Sequence, residues 1–277
     1  MSNLLNVAKK EIADIVGNVN VILILVVYLF LILSSALHTY DSVSAGGLSD
    51  SELLYKMLGC CASNIIISYG SIIAIMVGFS SISSEKTGNA LATLTAKPLY
   101  RDTIINGKLL SCTAFMLAVF GLAAALYTAV LLIICGNAIS PVIYDYLCRL
   151  PFVLAMSAML ALSYMSLSFL FPVLIKNHGV ALLSTVITVM MLRVVIPTVS
   201  FAGNMEILTR SGDVYNWIIR LCPDTAYWNL TDAGLYDTSI SALQVMSNCW
   251  TDIADVLLFI IIVLVITYVS FIRRDVI

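Results

Sequence analysis

Six stretches of about 20 or more mainly apolar residues constrain this chain more than any other feature. They fall at about 19–38, 57–82, 109–135, 147–175, 179–199 and 253–272. A helix needs about that length to cross the hydrocarbon of a bilayer, where every backbone N–H and C=O must be paired internally. Apolar residues in each stretch are continuous rather than alternating, which argues against a β-barrel. Composition agrees, with 61% hydrophobic and 11% charged residues, where soluble domains carry about half and about a quarter. Too little polar surface is left to face water, so a soluble enzyme, a nucleic-acid binder and a disordered chain are excluded. The expectation is an all-α, polytopic membrane protein with six transmembrane helices in a single domain over residues 1–277.

Residues 1–18 read differently. Leu4, Leu5, Val7, Ala8, Ile12, Ile15 and Val16 recur near helical spacing, with Lys9, Lys10, Glu11 and Asp14 between them. This pattern predicts an interfacial helix along the membrane surface; a solvated extension of the first span is the plainer alternative. Ser34-Ser35-Ala36 resembles a signal-peptidase site, but the long acid-containing start favours an uncleaved anchor.

Orientation follows from the basic residues. An even number of spans puts both termini on one side with the linkers at 83–108 and 176–178. That side holds Lys9, Lys10, Lys86, Lys97, Arg101, Lys108, Lys176, Arg273 and Arg274 against five acids, a balance of +4. The other side has five cations against eleven acids, a balance of −6. Both termini are therefore expected in the cytoplasm.

Two non-membrane segments are long: the linker at 83–108 and an external segment at 200–252. In the linker, Ala90, Leu91, Leu94 and Thr95 would share one face of a short helix that Pro98 ends. That helix suits either a docking element or a plain connector.

Several chemistries lack their residues. Gly107-Lys108 is preceded by Asp102 where a phosphate loop needs Gly and followed by Leu109 where it needs Ser or Thr. A zinc-protease motif is missing, and the two histidines are His38 and His178. Seven cysteines show no Cys-x-x-Cys spacing. Cys60 and Cys61 read as packing residues of the second span. Cys135, Cys148, Cys222 and Cys249 fall at or beyond the outer face, where a disulfide or metal ligation is chemically open and free thiols are expected. Asn229-Leu230-Thr231 matches an N-glycosylation acceptor.

Arg193, near the outer end of the fifth stretch and four residues before Pro197, is the clearest intramembrane charge. It reads either as a translocation-path residue or as a cation that snorkels outward or pairs with an acid of the external segment. Arg149, closer still to the boundary, takes the second kind of reading. A secondary carrier would need midplane charges that the spans do not supply, and a membrane-embedded enzyme or maturation factor would need a polar catalytic pair.

The linker carries Ser84-Glu85-Lys86, Gly88, Leu91, Leu94, Lys97-Pro98, Arg101, Ile104-Ile105 and Gly107-Lys108-Leu109-Leu110. In this order it resembles the ABC type-2 transporter permease family, and Ala8-Lys9-Lys10-Glu11-Ile12-Ala13-Asp14 is similar to that family's N-terminal interface helix. Thr87 and Asn89 stand where the motif usually carries charge. The resemblance implies the membrane subunit of an ATP-driven exporter in the cell membrane. It also implies a second permease subunit, identical or not, and two copies of a separate ATPase chain that binds the ATP and magnesium. Glu85, Leu91, Leu94, Pro98 and Arg101 would then be docking or coupling residues, with the linker as coupling helix.

Overall fold

A computed structural model describes residues 2–44, 48–87, 101–195, 222–237 and 240–273. The described residues are helical apart from short turns, and no strand occurs among them.

The first helix, α1 (Ser2–Gly17), is too polar to cross a bilayer. The chain breaks at Asn18, whose side-chain oxygen accepts from Asn20 N at 3.0 Å, and α2 (Val19–Ser44) follows directly. It outruns its apolar stretch, and there Thr39 and Ser42 return their hydroxyls to the carbonyls of Ser35 and His38 without breaking the helix.

The next helix starts before its apolar run, at α3 (Asp50–Gly59). Ser49 and Glu52 form a capping box there, with Ser49 N donating to Glu52 Oε2 at 2.9 Å and Glu52 N donating to Ser49 Oγ at 3.4 Å. A π-helical segment (Cys60–Gly70) joins α3 to α4 (Ser71–Thr87), so one unbroken helix runs from the cap to the linker. Then come α5 (Arg101–Cys135) and α6 (Ile143–Leu174), the latter carrying Pro151 and Pro172 internally. Asn177 caps α7 (His178–Met190), accepting from Gly179 N at 3.0 Å, and a π-helical turn (Met191–Val195) extends it. Two short helices, α8 (Pro223–Asp232) and α9 (Ala242–Asn248), lead into α10 (Trp250–Arg273).

Five helices among the described residues are long and apolar enough to cross a membrane: Val19–Ser44, Asp50–Ser83, Ile105–Cys135, Ile143–Leu174 and Trp250–Phe271. The stretch expected at 179–199 is a shorter apolar helix, described only as far as Val195. The predicted linker helix around Leu91 and Leu94 lies outside the described residues.

The core centres on α6. Gly78 lets α4 approach it closely, since a Cβ there would meet Ser168 Oγ at 2.1 Å and Met165 Cγ at 3.0 Å. Gly70 makes the same allowance for Phe120 of α5, at 2.6 Å. By contrast α2 and α10 keep broad apolar faces exposed, including Leu23, Phe30, Ile261 and Val265, as expected of surfaces that meet lipid tails or another membrane subunit.

Candidate functional site

The linker leaves from α4 and returns at α5, and the structure ties these two roots together through the N-terminal helix. Lys108, on the first turns of α5, places its ammonium 2.8 Å from Glu11 Oε2 of α1 and donates to Ser81 O of α4 at 2.9 Å. The pair is largely withdrawn from water, with Lys108 5% and Glu11 12% exposed. Removing one member of such a pair leaves an uncompensated charge, which costs about 3–5 kcal/mol. The neighbouring Gly107 explains the approach, because a Cβ there would sit 2.7 Å from Val7 Cγ1 of α1. Close by, the Ser83 hydroxyl shares a hydrogen bond with His178 Nδ1, and the His178 ring lies 4.9 Å from that of Phe79. The end of α4 is therefore held by α5, α1 and α7 at once.

A second polar junction lies deeper in the bundle. Arg193, in the π-helical turn after α7, donates from Nη2 to Ser68 Oγ at 2.9 Å, and Ser68 belongs to the other π-helical segment. Cys222 donates its thiol to Leu192 O at 3.0 Å. Two residues on, Asp224 is 4% exposed and accepts a hydrogen bond from the Tyr164 hydroxyl of α6. Tyr164 stands ten residues from the Leu174 end of α6, roughly 15 Å along the axis. The start of α8 thus packs against α6 within that helix's length rather than at either of its ends. The drivers are the pairing opportunities offered by Tyr164, Leu192 and Arg193, which a buried carboxylate and thiol require. The Tyr164 hydroxyl and the Arg193 charge are the groups that face the Asp224 carboxyl there.

The family described as "ABC-2 family transporter protein" matches residues 5–276. The chain belongs to that family. It is a membrane transport subunit, the permease part of an ABC transporter. No curated protein matches the chain.

The residues singled out from the sequence distribute unevenly over this permease. Glu85 lies on the last turns of α4 and Arg101 opens α5, so the two flank the linker; their side chains are outside the described set. Leu91, Leu94 and Pro98 lie outside the described residues altogether. Arg193 donates a hydrogen bond to Ser68 of a neighbouring span, and its charge acts on Asp224, an acid of the segment before the last span. The seven cysteines are free thiols. Among the described residues no three His, Cys, Asp or Glu side chains gather as metal ligands. Asn229 is exposed on α8 and donates to Asp252 Oδ1 at 2.7 Å.

Lys108, Glu11, Tyr164 and Asp224 escaped sequence reading as site residues. Lys108 stood out only as part of a Gly-Lys pair, and its partner Glu11 is distant in sequence. Tyr164 and Asp224 carried no local signal. Arg149, expected as a boundary cation, is 7% exposed and donates to Leu235 O at 3.1 Å and to Ile240 O. It clamps the turn after α8, where Gly234 adopts φ +94°, onto α6.

Proposed function

We propose that the permease forms the translocation path of an ATP-driven exporter whose energy comes from a separate ATPase chain docked on the linker at 83–108. The carrying observation is the joint at the linker's two roots, where Lys108 holds α5 to Ser81 of α4 and to Glu11 of α1. A displacement delivered to the linker would be passed to three helices at once instead of being absorbed by a loose connector. Glu85, Leu91, Leu94, Pro98 and Arg101 are the docking or coupling residues in this reading. ATP and magnesium sit in the partner, two copies of which serve two permease subunits, identical or not. The chain crosses the cell membrane six times, with the helix from His178 continuing through the sixth crossing and both termini cytoplasmic. Arg193 faces the path or controls access to it from the junction it shares with Ser68 and Asp224.

A photo-crosslinking amino acid placed at Leu94 in the native membrane tests this reading. The expected adduct contains an ATP-binding chain, and its yield falls when Arg101 is replaced by Glu. Adducts with lipid alone would refute the docking role.

A further inference from the structure

The N-terminal helix does more than rest on the bundle. Its docked side is formed by Ala8 and Ile15, both buried, with Glu11 reaching Lys108 and Val7 closing on Gly107. The outward positions divide into two flanks. Leu5, Lys9, Ile12 and Val16 follow one another at i, i+4, i+7 and i+11 and so lie along one stripe. Of these Leu5 and Val16 are more than half exposed and Lys9 is exposed. Lys10 stands about 100° away around the helix and shares its flank with Asp14, four residues on. One lysine therefore sits within an apolar stripe, and the other beside an acid.

The position of α1 decides what covers the stripe. The helix is joined at Asn18 to a membrane-crossing helix and packs on the first turns of another, so it lies at the level where apolar core meets headgroups. Exposed Leu5 and Val16 suit the acyl boundary there, and Lys9 between them suits an anionic headgroup. A soluble anion would gain nothing from the flanking apolar side chains.

We infer that α1 is a lipid-responsive arm: an anionic phospholipid headgroup bound at Lys9 is felt at the linker's roots through the Glu11–Lys108–Ser81 joint. The arm is one rigid helix, so fixing its outer flank fixes Glu11 on its inner side. The ion pair and the Ser81 contact carry that restraint into α5 and α4. This inference rests on the membrane placement of the chain and not on ATPase docking.

Amide hydrogen exchange in lipid nanodiscs tests it without any ATPase, so its failure would leave the permease reading untouched. Replacing phosphatidylcholine by a mixture with phosphatidylglycerol is expected to slow exchange about fivefold across residues 2–17 and over the first turns of α5, the factor that one basic contact with an anionic surface supplies. Lys9→Ala should abolish both effects, whereas Lys10→Ala should keep them. Glu11→Gln and Lys108→Met should retain the slowing in α1 and lose it in α5; the isosteric Glu11→Gln guards against a Lys108 variant that folds poorly. Equal sensitivity of Lys9→Ala and Lys10→Ala would overturn the proposal. So would α5 protection that survives both joint variants, or the same slowing produced by inorganic phosphate in phosphatidylcholine discs.

Discussion

Asp224 shows how much a single buried contact can hold. Its carboxylate accepts a hydrogen bond from the Tyr164 hydroxyl, and both residues are buried. Tyr164→Phe removes that donor and should cost about 1–3 kcal/mol. Chemical denaturation measures the loss, and an unchanged midpoint would remove the Tyr164–Asp224 contact from the account. Arg149 is the matching case for a buried cation. Arg149→Ala withdraws donors from the buried carbonyl of Leu235 and the partly buried carbonyl of Ile240, and should cost about 2–3 kcal/mol. Faster proteolysis between α8 and α9, with the rest of the chain unchanged, is the expected sign. Neither role could be read from sequence, because the residues that hydrogen-bond to Arg149 and Asp224 are 60 or more positions away.

At the scale of elements, what was legible followed from local physics. The apolar runs gave the spanning helices, since a continuous run of that length has few other homes. Their ends were less legible. The helix expected to begin at 57 begins at Asp50, because Asp50, Glu52 and Lys56 interrupt the apolar run without interrupting the helix. The signal that could have placed its start was the Ser49-x-x-Glu52 capping box. The π-helical character of Cys60–Gly70 had no such signal. The contact between α4 and α6 yields a sharper prediction. Gly78→Ala should strain the crossing by about 1–3 kcal/mol, since its Cβ would fall 2.1 Å from Ser168 Oγ. Combining it with Ser168→Ala should recover much of the loss, leaving Met165 as the remaining obstacle. Chemical denaturation of the two single variants and the double variant would measure this coupling, and simple additivity would contradict it.

For the whole molecule, family membership and the two polar junctions point to one division of labour. The end of the bundle that bears the linker is braced by Lys108, Glu11, Ser81, Ser83 and His178. Within the bundle a second junction joins Arg193 to Ser68 and Tyr164 to Asp224. Such an arrangement suits a device driven at one end and opened in the middle, with two packings whose balance a nucleotide-binding partner would shift. The family and most of the spanning helices were legible from the linker's motif and the apolar stretches. The brace was not, because it depends on a contact between residues 11 and 108.

The most direct test of this account is to isolate the tagged chain gently from its native membrane and measure bound protein and ATP hydrolysis together, with and without Leu94→Asp. The account predicts that an ATPase chain co-purifies and hydrolyses ATP, and that the substitution releases it while the permease itself stays folded. A chain that emerges alone, or an ATPase that remains bound and equally active after Leu94→Asp, would contradict it.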